Sequence, residues 1–524
     1  MDWAHQKRDR IKLWFKDRYN LALFLIVAAV FIYRIYWFVK VGNQPLWWDE
    51  ADYLNIAKSW MGGAQWGFNP LRPIVLPVIA YLFYSIGLGE GSLRILMLLV
   101  STASIPLIYL VGKTLFSKKV GIVSAFLLGI FWSWNFFTFR ILVDIPVAVL
   151  WLATIYLFFD AYLNDKSWKQ FALAGVFLTL AFVTKFSTIT LIGIFGIYIL
   201  ATERLNVIRN KKIWAFALAS FISVLPYLFW QYVAFGSPFA FYYKARAPEG
   251  LSYFRTFYQS VVDQVNYSIG LLHWALAILV VAGFIFIIYK MLLLWDKVPA
   301  KKTEANNGFF VFIWLILTMV FFWYLNYGQY IEERYFFIFY PAMFILAANL
   351  VVSLYEFGKK YSKYITLAVI VVVLAFAAYQ NISNANQIIA NKKDSFSQAK
   401  EAGLWLKENT PLDERVIVSQ EHAEIQYYAE RNLVGLEEMN TSKKIDDYIL
   451  NNNAGHAAYV IFYPQFVRDW ELQYFFGSQQ FRPVKYYTPF LDKEQRLPIV
   501  TIFEIDKTKI GRQATTANSS LVSQ

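Results

Sequence analysis

Apolar segments dominate the first three quarters of the chain. The runs at residues 20–38, 120–137 and 309–325 are long enough to cross about 30 Å of hydrocarbon as helices. The run at 74–87 is shorter and contains Pro77, with Pro73 just before it, so we expect an interfacial or half-inserted helix there. The pattern predicts a polytopic α-helical membrane protein.

Lysine and arginine residues crowd into short connections between the apolar segments. These basic connections lie at 7–18, 113–119, 165–169, 204–212, 297–302 and 359–363. Because basic loops stay cytoplasmic, the remaining connections are predicted to be external: 40–71, 140–144, 184–187, 235–268, 326–334 and everything after 378. This alternation predicts about eleven spans, a cytoplasmic N-terminus and an external C-terminus. We expect the protein in the plasma membrane.

The composition changes after the last apolar run. Residues 399–408 and 443–450 have helical character, whereas 415–419, 457–462 and 499–503 are strand-like. We therefore predict a transmembrane module over 1–383 and an external soluble α/β domain over 384–511. The polar residues 512–524 are predicted to form a disordered tail.

Composition and charge agree with a membrane protein and narrow its chemistry. Only 16% of the residues are charged, against about 25% in soluble domains. The net charge of +13 comes from the loops, which does not favour nucleic-acid binding. The absence of cysteine excludes disulfides, thiolate catalysis and sulfur-ligated metals.

Charged residues also lie at the predicted external ends of the spans, where burial beside lipid is costly. Each has a structural alternative. Acidic residues at 49 and 50 would equally suit the first turn of a helix that runs to Trp60, those at 140 and 144 have ion-pair spacing, and a lysine at 185 could extend to the interface. The basic loops that fix the orientation contain none of these charged residues, yet they assign all of them to the external face. The residues are Asp49, Glu50, Arg72, Arg140, Asp144, Lys185, Glu332, Glu333 and Arg334.

Carboxylates and cations on one face suggest a transfer reaction. A carboxylate can accept the proton of an attacking hydroxyl group. Lysine and arginine can bind a phosphate and stabilise the charge that it gains on leaving. A polyprenyl-phosphate sugar fits, with its phosphate at the interface and its tail among the helices. The sequence has no glycine-rich phosphate loop that would indicate a nucleotide-sugar donor.

Six segments resemble, in order, membrane glycosyltransferases of the GT-C class, and cover nearly the whole membrane part. They are 48–57 (WDEADYLNIA), 69–73 (NPLRP), 110–116 (LVGKTLF), 140–144 (RILVD), 184–186 (TKF) and 333–337 (ERYFF). The branch that they resemble is that of the protein O-mannosyltransferases and the aminoarabinose transferase.

The resemblance implies an inverting glycosyltransferase that uses a polyprenyl- or dolichyl-phosphate sugar. Asp49 would be the catalytic base, positioned by Glu50. The residues implied to bind the donor phosphate are Arg72, Lys185, Arg334 and Tyr335, and those implied to line the outer cavity are Arg140 and Asp144. The expected acceptor is a hydroxyl group of a protein, lipid or glycan.

No cofactor is required by this chemistry. Some members of the class bind a divalent metal, for which Asp49, Glu50 and Asp144 could supply oxygen ligands.

Two other classes of function stay open at the level of sequence. A transporter or lipid flippase would place charges near mid-membrane in several spans. A sensor or assembly scaffold would bind an extracellular partner through its C-terminal domain, with no dependence on the carboxylates.

Overall fold

The computed structural model describes residues 13–70, 72–243, 253–325, 332–419, 422–436, 439, 441–461, 468–488 and 499–510. The predicted disordered tail at 512–524 lies outside these residues. The chain divides into two compact units. We call Met1–Gly42, Pro70–Leu76 and Glu90–Asn391 the membrane unit, and Asn43–Asn69, Pro77–Gly89 and Lys392–Gln524 the C-terminal unit.

The chain up to residue 392 is helical over most of its described length. Its helices are α1 (Arg18–Val41), α2 (Trp48–Trp60), α3 (Val75–Ser85), α4 (Glu90–Leu115), α5 (Lys118–Ile130), α6 (Trp132–Phe137), α7 (Asp144–Leu163), α8 (Trp168–Thr184), α9 (Ile189–Glu203), α10 (Lys211–Phe235), α11 (Ala240–Tyr243), α12 (Tyr253–Gly270), α13 (His273–Leu293), α14 (Glu304–Leu325), α15 (Tyr340–Gly358) and α16 (Lys363–Lys392).

The prediction of a polytopic α-helical membrane protein is confirmed. Within the described ranges, nine helices are long and apolar enough to cross a membrane. At the two other places where spans are predicted, α5 and α8 have 13 and 17 residues. Helix α3 has 11 residues, or about 16 Å of helix, which is about half the hydrocarbon thickness.

The apolar run at 120–137, predicted as one continuous span, is two helices. Phe131 has an extended backbone and separates α5 from α6. Two amides satisfy backbone groups at the break: Asn381 Oδ1 accepts from the Trp132 N–H at 3.4 Å, and Asn135 Nδ2 donates to the Gly129 carbonyl at 2.9 Å. An interrupted helix is tolerated at membrane depth where protein groups replace its lost hydrogen bonds.

Glycines allow close helix contacts in the membrane unit. A Cβ on Gly175 of α8 would overlap the Phe216 carbonyl oxygen of α10. A Cβ on Gly283 of α13 would lie 2.7 Å from the Leu346 carbonyl oxygen of α15. Small residues at such contacts let backbones approach, which favours helix association in a membrane.

The C-terminal residues form a small α/β domain, as predicted. Its elements are α17 (Ser397–Asn409), β1 (Arg415–Val418), α18 (Ala423–Ala429), β2 (Asn432–Gly435), α19 (Ser442–Asn451), β3 (Ala454–Val460), α20 (Asp469–Gly477), β4 (Phe481–Tyr487) and β5 (Val500–Ile505).

The sheet of this domain has the order β2-β1-β3-β5-β4. Strand β1 is parallel to β2 and β3, with Val416 opposite Leu433 and His456, whereas β5 is antiparallel to β3 and β4. The strands predicted from sequence are the three central ones, β1, β3 and β5. The two missed strands are the edges, which are short or, like β4 with its Pro483, largely exposed.

Candidate active site

Lys185 and Asp144 form an ion pair in the membrane unit. Helix α8 ends at Thr184, and Lys185 follows it in an extended conformation. Its Nζ binds the Oδ1 of Asp144, the first residue of α7. The Asp144 side chain is only 3% exposed and that of Lys185 20%. A carboxylate so deeply buried needs a cation beside it, which fixes the position of the ammonium group.

The ring of Tyr335 contacts both Lys185 of this ion pair and a second cation, Arg334. Tyr335 lies in the 3₁₀ helix Glu333–Ile338 and stacks on Phe322 of α14, with ring centroids 6.3 Å apart. Lys185 Nζ lies 5.3 Å and Arg334 Cζ 5.7 Å from its centroid. Both distances allow a cation–π interaction. We call Asp144, Lys185, Arg334 and Tyr335 the Tyr335 cluster.

Acidic neighbours hold the segment that carries this cluster. Arg334 Nε donates to Glu332 Oε2 at 2.5 Å. The Tyr267 hydroxyl of α12 donates to Glu333 Oε2 at 3.1 Å. The predicted phosphate-binding residues Lys185, Arg334 and Tyr335 therefore lie together, although Lys185 is far from the other two in sequence.

Arg140 lies in the connection that leads to α7. Its side chain is 1% exposed, and its Cζ lies 5.8 Å from the centroid of the Phe136 ring. The sequence leaves open an ion pair between Arg140 and Asp144, but the structure pairs Asp144 with Lys185. Arg72, the other predicted phosphate ligand, is partly buried just before α3.

Asp49 and Glu50 occupy the first turn of α2, which ends at Trp60. Glu50 is fully buried, and its Oε2 accepts from the Trp47 N–H at 2.8 Å, closing the turn. Asp49 is partly exposed. The structure therefore gives the capping role to Glu50 and leaves Asp49 accessible.

Two buried arginines, Arg34 and Arg94, are not among the residues predicted from the charges of the loops. Arg34, within α1, is fully buried and donates to Asn135 Oδ1 at 3.1 Å and to Thr102 Oγ1 at 3.3 Å. Arg94, near the start of α4, pairs with Glu90 at 2.6 Å and donates to the Phe139 carbonyl at 2.7 Å. An arginine inside an apolar helix is the signal that marks both.

Among the described residues, no three His, Asp or Glu side chains are grouped so that they could hold a metal ion. Two of the predicted oxygen ligands already have partners, since Asp144 pairs with Lys185 and Glu50 accepts from the backbone. A metal would have to displace those partners. Metal binding stays a prediction, and no step below uses it.

A cavity of about 670 Å³ lies away from these residues. Helix α15 begins five residues after Tyr335, and the cavity lies along its C-terminal half, from Asn349 to Phe357. Its other polar lining residues include Lys290, Glu304 and Glu356. No site residue predicted from sequence is among the described residues that line it.

The chain is similar in fold to solved structures of ArnT and of an oligosaccharyltransferase. ArnT from Cupriavidus metallidurans in the apo state matches with a TM-score of 0.64 and 13% identity, over 93% of this chain and 99% of that one. The oligosaccharyltransferase of Archaeoglobus fulgidus in the apo form matches with a TM-score of 0.62 and 15% identity, over 93% of this chain and 76% of that one. The chain has the GT-C fold. This confirms the resemblance seen in the sequence.

The GT-C chain also matches a family model. Residues 71–230 match that of the dolichyl-phosphate-mannose-protein mannosyltransferases. The matched segment includes Arg72, Arg140, Asp144 and Lys185. None of the curated proteins matches the chain by sequence.

Proposed function

We propose that this protein is an inverting glycosyltransferase that moves a sugar from a polyprenyl- or dolichyl-phosphate donor to a hydroxyl acceptor at the external membrane face. The GT-C fold and the matched mannosyltransferase family support this class of reaction. So do two solved structures of similar fold: ArnT bound to undecaprenyl phosphate, and the Archaeoglobus fulgidus AglB with a dolichol-phosphate and an inhibitory peptide.

The Tyr335 cluster is the observation that carries the donor assignment. Lys185 uses one donor on Asp144, and an ammonium group has three. Its other donors, together with the Arg334 guanidinium, can make charge-assisted hydrogen bonds to phosphate oxygens. The cluster would bind the donor phosphate and stabilise the negative charge that develops as the sugar leaves.

Asp49 is the general base in this proposal. The bond between the anomeric carbon and the phosphate oxygen breaks, and a bond from the acceptor oxygen to the same carbon forms. The acceptor proton passes to Asp49, and the polyprenyl phosphate leaves with the bonding electron pair. Because the acceptor attacks in one displacement, the anomeric configuration inverts. Glu50 closes the helical turn that presents Asp49.

The decisive experiment is a transfer assay with the purified protein in lipid nanodiscs, a panel of radiolabelled polyprenyl-phosphate sugars and hydroxyl acceptors of the peptide, lipid and glycan classes. Asp49→Asn should lower turnover by about 100-fold or more, since a general base contributes about 10²–10⁴-fold. Asp413→Asn is the matched control, because Asp413 is an exposed aspartate of the same unit.

Wild-type turnover in Asp49→Asn would contradict the base assignment. Transfer from nucleotide sugars without any lipid-linked donor would contradict the donor class. Movement of the labelled lipid across the bilayer without sugar transfer would instead identify a flippase.

A further inference from the structure

Helix α2, which carries Asp49, packs against α18 of the α/β domain within the C-terminal unit. The side chains from Glu50 to Ala57 are buried in a continuous run. Within that run, Asn55 Nδ2 donates to the Ala423 carbonyl of α18 at 2.8 Å. The Trp48 ring meets that of His422, just before α18, with centroids 5.6 Å apart.

Lys58 makes several contacts between the two helices. Its Nζ donates to the Tyr427 carbonyl at 3.0 Å and to Glu430 Oε1 at 2.8 Å, and lies 3.9 Å from the centroid of the Tyr427 ring. Lys407 of α17 binds the other oxygen of Glu430 at 2.7 Å. Although burial by itself raises the pKa of Glu430, hydrogen bonds from Lys407 and Lys58 lower this pKa below its usual value.

The backbone of Glu430 is unusual for its residue type. It caps the C-terminus of α18 with a φ of 52°, in the left-handed region that favours glycine at this position. A glutamate is less favourable than a glycine in this backbone conformation. Its carboxylate is what joins a lysine of α2 to a lysine of α17.

Helix α18 is in turn fixed to its own domain. Gly403 of α17 faces it so closely that a Cβ there would lie 2.7 Å from Tyr428 Cβ and 2.9 Å from the Ile425 carbonyl oxygen. The Tyr428 hydroxyl accepts from the Leu46 N–H, two residues before α2, at 3.1 Å. The α/β domain therefore packs directly against α2, the helix that carries Asp49 and Glu50.

We propose that the C-terminal domain positions the catalytic carboxylate, with Lys58 and Glu430 as positioning residues. The inference rests on the proposed function. Lys58 lies nine residues after Asp49, or about 14 Å along one rigid helix, so a shift of α2 on α18 is transmitted to Asp49. A displacement of about 1 Å at a reacting group can cost about 100-fold in rate.

Kinetics in nanodiscs would test this with two variants and one control. Lys58→Met removes the ion pair between α2 and α18, and we expect kcat to fall about 10- to 100-fold, with the donor KM within about twofold because donor binding is assigned to other residues. Lys58→Arg should restore most of kcat, since a guanidinium also reaches Glu430. Lys407→Met removes a lysine from the same carboxylate without touching α2, and kcat should stay within about twofold of wild type.

Glu430→Gly separates positioning from folding. Glycine suits the left-handed backbone, so thermal stability should be retained, yet Lys58 loses its carboxylate partner and kcat should fall as in Lys58→Met. Wild-type kcat in Lys58→Met and Glu430→Gly, or an equal loss in Lys407→Met, would overturn the positioning role while leaving the glycosyltransferase assignment intact. Absence of transfer by the wild type would instead contradict the proposed function.

Discussion

Lys185 and Asp144 are 41 residues apart in sequence and form one ion pair in the membrane unit. The Asp144 side chain is nearly inaccessible, whereas a fifth of the Lys185 side-chain surface is exposed. This asymmetry suits a buried carboxylate that anchors a more accessible lysine side chain.

We predict that Lys185→Ala raises the donor KM and destabilises the protein by about 3 kcal/mol, because it leaves a buried carboxylate without its cation. Asp144→Asn should cost less stability, since an amide can still accept from Lys185. The double variant Lys185→Ala/Asp144→Ala should recover most of the stability while remaining defective in donor binding. Thermal unfolding and donor titration measure the two effects separately. If the double variant binds donor as wild type does, Lys185 is no phosphate ligand.

At Asp49 and Glu50, the sequence leaves capping and catalysis equally open. The structure gives the capping role to Glu50, and catalysis by Asp49 stays a prediction. Glu50 turns inward and accepts from the Trp47 N–H, whereas Asp49 stays partly exposed. Residue type does not decide which of two neighbouring carboxylates caps a helix, because the direction of each side chain depends on how the helix packs.

The break between α5 and α6 shows that hydropathy does not predict where a helix is interrupted inside an apolar run. Residues 120–137 are apolar throughout, yet the helix is interrupted at Phe131. The partners of the freed backbone groups come from Asn135 and from Asn381, 249 residues after Trp132. Such a break depends on a partner from a distant helix.

The contact between α8 and α10 yields a prediction on helix packing. Gly175→Ala should destabilise the membrane unit by about 1–3 kcal/mol, the usual cost of overpacking, because the new methyl group overlaps the Phe216 carbonyl. Gly196→Ala in α9 is the matched control, since a methyl group added there would meet no neighbouring atom within 4 Å. Tryptophan fluorescence during thermal unfolding compares the two. Equal unfolding midpoints would show that α8 and α10 do not depend on this close approach.

At the scale of the whole molecule, the compact units do not follow the linear order of the chain. Residues 43–69, which include Asp49 and Glu50, belong to the same unit as the residues from 392 onward. The Tyr335 cluster belongs to the membrane unit. Residues 43–69 and those from 392 onward therefore fold together, although about 320 residues of chain separate them.

The predicted orientation can be tested directly because the chain has no cysteine. We expect Lys393→Cys to react with a membrane-impermeant maleimide added to intact cells. Lys360→Cys, in a basic loop predicted to be cytoplasmic, should react only after permeabilisation. Both positions are exposed, so accessibility of the side chain is matched. The reverse labelling pattern would invert the topology and move the proposed site to the cytoplasmic face.

The sequence alone was enough to predict the class of protein, the positions of most spans, the central strands of the α/β domain and the segments that resemble GT-C enzymes. These follow from hydropathy, charge distribution and local propensity, which act over a few turns of chain. Only the tertiary structure decided which carboxylate caps α2, that Asp144 pairs with Lys185, that Tyr335 joins two cations, and that α18 holds α2. The contacts of Lys185 and the packing of α18 on α2 depend on side chains that are distant in sequence and become neighbours only when the chain folds.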